Sequence, residues 1–492
     1  MTAREPISAP SSLDPEKLLS RISVQWDGDI VPQLIEYVRL PAKSPHFDPE
    51  WVKNGHIEAA IRQAQQWVVA QDVKGLALEI VRIEGRTPVL FFDIPATGGL
   101  ARERSVLLYG HLDKQPEMTG WRPGLGPWTP VFEDGRLYGR GGADDGYAVF
   151  AALSAITALD AEGIPRPRCV GLIETCEESG SFDLPAYLEM LAPRMGDVQL
   201  VVALDSGAGN YDQLWVTTSL RGLVNGTLEV KVLDEGVHSG DAGGIVPSSF
   251  RIARSLLDRI DDSRTGVVKP ERFNCAIPAD RLEQAGQAAA ILGDTVWKRF
   301  PWASCCDDAG TASIFAQPVT KDPVEAVLNR TWRAALAVTG ADGLAPTGSA
   351  GNVQRPYTNL KLSLRVPPLV DGPTAGAALK RILEDDPPYN AVVCFDCISA
   401  ATGWNAPPTA PWLAAALDVA SRASFGQPAA YMGEGGTIPF MGMLGVKFPH
   451  AQMLVTGVLG PHSNAHGPNE FLDVSYAKRV TLATAMVIAA TR

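Results

Sequence analysis

One short stretch gathers a histidine and three carboxylates. His111 and Asp113 lie in YGHLDKQPE (residues 109–117), and Asp144 and Asp145 close GRLYGRGGADD. The apolar run Ser105–Tyr109 reads as a buried strand, which leaves His111 and Asp113 at its carboxyl end. Tyr147, Phe150, Ala151 and Ile156 have the spacing of an amphipathic helix, so the two aspartates precede a helix start. Strand ends facing helix starts are where open α/β sheets take their ligands. Carboxylates grouped there cost several kcal/mol to bury unless a cation compensates them, which points to a metal site.

The rest of the chain reads as the scaffold of that site. Residues 13–72 are mostly helical in pattern, and strands are expected at Ala77–Ile83, Val89–Phe92, Val170–Glu174 and Leu200–Leu204. A helix over Tyr147–Ala158 and another over residues 184–192 alternate with them. This predicts a mixed sheet covered by helices. Near residue 216 the pattern changes. The strands TLEVKVLD (227–234) and LKLSLRV (360–366) alternate as half-exposed strands do, helices are expected at Pro247–Ile260 and 373–384, and a last strand covers 391–397. Residues 262–350 read as loop-rich. The fold class expected is therefore α/β, with a discontinuous catalytic domain (1–215 and 404–492) and an inserted α+β module, 216–403, of four strands with two helices on one face.

Composition narrows the function. The 492 residues suit two domains, and a net charge of -12 argues against nucleic acid or an anionic membrane as partner. No apolar run reaches the ~18 residues of a membrane span, and the N-terminal MTAREPISAPSSLDPEKLL lacks the apolar core of a signal peptide. Seven cysteines without framework spacing suggest reduced thiols and a cytoplasmic protein. Cys394 and Cys397 form a CxxC inside a strand-like run with no second pair, a poor setting for redox or zinc-finger chemistry.

Further residues of metal-ligand type stand in ETCEESGS (Glu177, Glu178), ALDSG (Asp205), GVHSGDAGG (His238), GEGGTIPF (Glu434) and GPHSNAHGPNE (His462, His466). With GHLD and GRGGADD, these motifs in this order resemble the co-catalytic dizinc exopeptidases: carnosinases, nonspecific dipeptidases, carboxypeptidase G, aminoacylases and succinyl-diaminopimelate desuccinylase. The likeness covers about residues 100–470, and the carnosinase and dipeptidase branch is nearest in chain length and motifs.

The resemblance implies a zinc-exopeptidase-like catalytic domain with a ferredoxin-like insertion that serves as lid and dimerisation domain. It implies two Zn²⁺ per subunit, with Mn²⁺ or Co²⁺ possible, bridged by Asp144. His111 and Asp205 would complete one site, Glu178 and His466 the other. Asp113 would fix the tautomer of His111, and the peptide bond after Asp144 would be cis. Glu177 would act as general base toward the water shared by the metals. His238 matches the oxyanion donor, usually supplied by the second subunit of a homodimer. Arg365 matches an arginine that clamps the substrate carboxylate, supported by Gly435, Gly436, Thr437 and Ile438, with Asn352 in a substrate-contact region. Three departures bear on the substrate: Gly146 where many relatives have Lys, Thr437 where Ser is usual, and the segment TGWRPGLGP (119–127).

Plainer readings stand beside these. Glu177 and Glu178 suit a solvated helix start, Asp205 a turn or cap, His238 a loop histidine, and Arg365 an exposed strand charge. The Gly-Pro-Asn-Glu after His466 favours it over His462, and Glu434 reads as supporting rather than catalytic. His46, His56 and His450 have no motif around them and read as structural or surface. The leading expectation is hydrolysis of an amide bond beside a free carboxylate in a dipeptide or short peptide. An N-acyl- or N-carbamoyl-amino-acid amidohydrolase would keep the same mechanism. An inactive peptide-binding homologue is a remoter reading, and a serine hydrolase built on Ser206 lacks the GxSxG elbow.

Overall fold

The structure, a computed structural model, describes residues 13–306, 312–314 and 316–491. The first twelve residues, on which the signal-peptide reading bears, lie outside the described residues, as do the side chains of Cys305 and Cys306. The chain folds as two compact units. One runs to Thr217 and resumes over Ala406–Tyr431 and from Met443; the other is Thr218–Asn405 with Met432–Gly442.

The first unit opens with helices α1 (Pro15–Gln25), α2 (Val31–Arg39) and α3 (His56–Ala70). Asp14 starts α1 by accepting the Glu16 and Lys17 N–H groups at 3.0 and 3.2 Å, with Pro15 in the first turn, where no donor is lost. Then follow strands β1 (Ala77–Val81), β2 (Val89–Ile94) and β3 (Arg104–His111), helix α4 (Tyr147–Ala161), strand β4 (Arg168–Glu174), helix α5 (Leu184–Met195) and strand β5 (Asp197–Ala203).

The second unit contributes strand β6 (Gly222–Lys231), helices α6 (Ser249–Leu257), α7 (Ala279–Leu292) and α8 (Pro323–Thr331), strands β7 (Ala335–Asp342) and β8 (Tyr357–Val366), helix α9 (Gly372–Glu384) and strand β9 (Val392–Ala401). Back in the first unit, helix α10 (Pro411–Phe425), strand β10 (Gln452–Val455) and helix α11 (Val474–Ala490) finish the chain.

The six-stranded sheet of the first unit has the order β1-β2-β4-β3-β5-β10. β4, β3, β5 and β10 run parallel, and β2 is antiparallel to both its neighbours. From Ser105 onward β3 is buried without interruption, as a central parallel strand covered on both faces must be. Helix α4 is buried on nearly every side, so its sequence, YAVFAALSAITALDA, is apolar all round.

The second unit's sheet has the order β7-β8-β6-β9, all antiparallel. Within that unit the strands thus stand second, third, first, fourth, the split β-α-β arrangement. Val224, Leu228, Leu362 and Leu364 point into one core with Ile252 and Leu256 of α6 and Leu379 and Leu383 of α9. Alternation sends Asn225, Thr227, Lys361, Ser363 and Arg365 to the other face, which is only partly buried.

The loop-rich reading of 262–350 is corrected, since α7, α8 and β7 lie there. Helix α7 is largely alanine on its buried side, and β7 is an exposed edge strand, so neither shows a strong apolar period. The CxxC pair sits on β9. Cys394 lies across from Glu229 and Cys397 across from Gly226, on opposite faces of the strand, and both thiols are free.

Candidate metal centre

Parallel strands with neighbouring carboxyl ends bring distant motifs together. In register, His111 pairs with Glu174, and Tyr109 with Ala203. The ends of β4, β3 and β5 therefore lie side by side. His111 closes β3, Asp205 follows β5, Glu177 and Glu178 follow β4 in a single 3₁₀ turn, and Asp144 lies in the turn that opens α4. His466 comes from the loop between β10 and α11.

Two sets of side chains gather, His111–Asp144–Asp205 and Asp144–Glu178–His466, with ligand atoms within 4.8 Å of one another. Asp144 belongs to both. Its Oδ1 is 3.4 Å from His111 Nε2, and its Oδ2 is 3.0 Å from His466 Nε2. His111 Nε2 lies 3.7 Å from Asp205 Oδ2, and His466 Nε2 lies 3.5 Å from Glu178 Oε2. The Asp144–Asp145 peptide bond is cis. His462 is exposed and belongs to neither set.

The electrostatics ask for a cation. Burial first, then Asp144, pushes Glu178 up to about 8. Asp205 is pushed up to about 7, again by burial first, with Asp144 raising it against the lowering effect of His111. Burial alone would lower His466, but Glu178 and Asp144 raise it to about 9. Glu177 is raised well above the carboxylate range by burial, then by Asp205. His111 Nε2 and Glu178 Oε1 are buried with no hydrogen-bond partner among the described residues. Mixed imidazole and carboxylate donors, sharing one bridging carboxylate and keeping unsatisfied buried atoms, fit two divalent ions.

Neighbouring groups hold this arrangement. Asp113, fully buried, was expected to orient the His111 ring through its carboxylate. It approaches the ring twice: its Oδ1 stands 3.5 Å from His111 Nδ1, and its backbone carbonyl lies 3.1 Å from the same nitrogen. The carboxylate oxygens accept the backbone N–H groups of Glu177 and Glu178 at 3.0 and 2.9 Å. One aspartate thus ties the β3 end to the turn bearing both glutamates. Glu174 braces the same turn from behind, its Oε1 accepting from the Tyr109 hydroxyl at 2.5 Å and from Ser181 Oγ at 2.9 Å. Ser179 Oγ accepts the His46 N–H at 2.9 Å, which gives that surface histidine a backbone role.

Arg140 and Glu470, 1% and 0% exposed, form an ion pair at 2.5 Å. Arg140 Nη2 also donates to the His466 and Gly467 carbonyls at 3.0 and 2.8 Å, and Glu470 Oε1 accepts the Gly141 N–H at 2.9 Å. The pair therefore joins the Asp144 turn to the His466 loop. That loop needs a brace, because His462, Asn464, His466 and Asn469 all have positive φ. The divergent segment 119–127 helps, since the Arg122 N–H donates to Asn469 Oδ1 at 2.7 Å. Sequence reading passed over Arg140 and Glu470, although both stand inside quoted motifs. A buried charge demands a partner, and that was the available signal.

Gly146 has a packing reason. A side chain there would collide with the Tyr37 ring, whose hydroxyl donates to the Leu112 carbonyl at 3.1 Å. Ser206 Oγ is buried and 2.6 Å from Thr217 Oγ1, which makes it a structural hydroxyl rather than an activated nucleophile.

The remaining predicted residues lie in the second unit. His238 is exposed, and its Nδ1 accepts the Gly240 N–H at 3.1 Å. It pairs with Val353, and the Asn352 carbonyl accepts the Ser239 N–H at 3.0 Å, so His238 and Asn352 are neighbours. Arg365, near the end of β8, donates from Nη1 to Thr437 Oγ1 at 2.8 Å. Glu434 accepts from Arg330 Nη2 at 2.5 Å.

Comparison with known proteins agrees with this geometry. Residues 107–490 match the model of peptidase family M20/M25/M40. The cysteinylglycine-S-conjugate dipeptidase of Corynebacterium striatum is 25% identical over 457 residues, 90% of this chain and 91% of that protein. The human Beta-Ala-His dipeptidase is 25% identical over 480 residues, 93% of this chain and 89% of that one. The crystal structure of human carnosine dipeptidase 1 shares the fold, with a TM-score of 0.75 at 21% identity, covering 98% of this chain and 100% of that chain. With ligand sets gathered around Asp144 and the family match covering most of its length, the chain belongs to peptidase family M20/M25/M40.

Proposed function

We propose that this chain is a metal-dependent dipeptidase, or short-peptide carboxypeptidase, that hydrolyses an amide bond beside a free carboxylate. The observation that carries this reading is Glu177. It stands beside the ligand Glu178 but belongs to neither ligand set, and, unlike that of Asp113, its carboxylate has no hydrogen-bond partner among the described residues. His111 and Asp205 would hold one divalent ion, Glu178 and His466 another, with Asp144 between them; Zn²⁺ suits the donors, and Mn²⁺ or Co²⁺ would substitute. When bound, two such ions polarise a scissile carbonyl and acidify water.

Glu177 takes the proton of the attacking water on its carboxylate and passes it to the leaving amine nitrogen. Asp113 keeps it in place through the two backbone N–H groups. His238 donates to the oxygen that gains charge, from its own subunit or from the partner in a homodimer. Arg365, with Gly436 and Thr437, holds the substrate's terminal carboxylate, and Asn352 lies beside His238. A cytoplasmic location completes the reading, supported by the five free cysteines of the described side chains. Among the described residues no helix is long and apolar enough to cross a membrane.

The test is one assay on chelated protein and on protein reloaded with Zn²⁺ or Mn²⁺, using free dipeptides, C-terminally amidated dipeptides and N-acyl amino acids. Metal-dependent cleavage of the free dipeptides alone is the expected result. Cleavage of acyl amino acids alone would make the enzyme an amidohydrolase. No turnover of any substrate by metal-loaded protein would overturn the catalytic reading in favour of a peptide-binding protein.

A further inference from the structure

Two adjacent carboxylates leave the turn after β4, and only one of them belongs to a ligand set. Asp113 does not tell them apart, since its oxygens accept the backbone N–H groups of Glu177 and Glu178 alike. The difference comes from a side chain just beyond β3. Gln115 donates from Nε2 to Glu178 Oε2 at 2.6 Å, and among the described residues no side chain donates to Glu177. A carboxylate only accepts, so the amide nitrogen is the end of Gln115 that meets it. The other oxygen, Glu178 Oε1, is buried and has no partner among the described residues.

The residues flanking Gln115 are fixed, which aims its amide. Lys114 Nζ, fully buried, donates to the Tyr37 and Leu40 carbonyls at 2.7 and 2.9 Å, where α2 ends. A cation there satisfies carbonyls that a helix leaves unpaired. The Lys114 carbonyl accepts the Ser44 N–H at 3.0 Å, and Ser44 Oγ lies 2.6 Å from Ser179 Oγ, next in the chain to Glu178. On the other flank, Arg140 Nε donates to the Pro116 carbonyl at 3.2 Å, while its Nη2 reaches the His466 carbonyl. Both ends of the Gln115–Glu178 hydrogen bond thus stand on segments already tied together, and one tie runs on to His466.

We propose that Gln115 is the positioning residue that commits Glu178, rather than its neighbour Glu177, to metal binding. This rests on the reading of Asp144, Glu178 and His466 as the holders of a divalent ion. A free glutamate side chain loses rotamer entropy when it becomes a ligand, and a hydrogen bond that already fixes it reduces that cost. Ligating carboxylates are commonly held by such donors, and loss of one lowers metal affinity about 10- to 100-fold. Glu178 is absent from the His111–Asp144–Asp205 set, so the effect belongs to one set only.

The test is calorimetric titration of Zn²⁺ into chelated wild-type protein, Gln115→Met and His466→Ala. Methionine keeps the reach of the side chain and removes the donor. The binding step lost in His466→Ala marks the Asp144–Glu178–His466 set. In Gln115→Met that step should weaken about 10- to 100-fold, while the other step keeps its wild-type affinity. Gln115→Asn, whose amide stops one methylene short, should behave in the same way and decides the matter if the methionine variant does not fold. A step unchanged in both variants would overturn the proposal. Equal weakening of both steps would overturn it too, because Gln115 would then serve general packing. A wild-type protein with no step sensitive to His466→Ala would sink the two-ion reading itself, and this proposal with it.

Discussion

Each unit packs like charges together, the first with acids and the second with arginines, and the two clusters are built differently. In the first, ligand atoms from three strand ends, a helix-opening turn and a loop form two sets that share Asp144, each with its atoms within 4.8 Å of one another. In the second, the guanidiniums spread around a loop and spend many N–H groups on backbone carbonyls and Thr437. Carboxylates converge on a point because a metal ion is a small, dense charge. Guanidiniums fan out because the anions they suit are planar and as large as themselves.

The most damaging way to break the acidic cluster leaves its ligands alone. Glu177→Gln should lower kcat by about 10²- to 10⁴-fold, the usual weight of a general base, while metal content measured by mass spectrometry stays at the wild-type value. Retention of the rate would remove Glu177 from the chemistry.

Next in size is the brace. Arg140→Met leaves Glu470 charged and buried, and should cost about 3–5 kcal/mol in denaturant unfolding. Adding Glu470→Leu should recover much of that stability, because an apolar pair replaces an ionic one. It restores no donor to the His466 and Gly467 carbonyls, so metal titration should still find the Asp144–Glu178–His466 set weakened and the His111 set intact. Equal weakening of both sets would reduce the pair to general packing.

On the arginine side, Arg365→Lys keeps the charge and loses the planar fork. KM for free dipeptides should rise about tenfold with little change in kcat, since the fork holds substrate and transition state alike. A fall in kcat at constant KM would contradict the clamp.

The smallest effect probes the innermost acid. Burial, against the Tyr109 hydrogen bond, pushes Glu174 up to about 8. A carboxyl whose folded-state pKa is raised binds its proton more tightly in the native state. Its stabilisation is therefore complete below the ordinary carboxylate pKa and is lost as pH rises through about 8. Tm should fall between pH 6 and pH 9, and Glu174→Gln, which mimics the protonated form, should reduce that fall by a few degrees, on the order expected for about 1 kcal/mol. An identical pH profile in the variant would show that another group governs it.

Much of the site was legible because its parts are local. A strand end, a glycine turn and a short acidic motif each announce themselves within a few residues, so His111, Asp144, Glu178, Asp205 and His466 were all named from the chain. The alternating strands of the second unit were legible for the same reason, since period-two burial is written in consecutive residues. Helix α7 and edge strand β7 were not, because alanine-rich and exposed segments carry little periodic signal.

What the sequence by itself determined, then, is which side chains are candidates for the metal sets and the local elements that present them. Only the tertiary structure decided who meets whom. It set the strand order β4-β3-β5 that brings three strand ends together, and turned the Asp113 carboxylate toward the glutamate turn more than the histidine ring. It joined Arg140 to Glu470 across more than three hundred residues and set Arg221 and Arg330 against Gly435. Charge pairing and desolvation act through space, between residues whose separation along the chain carries no trace of the contact.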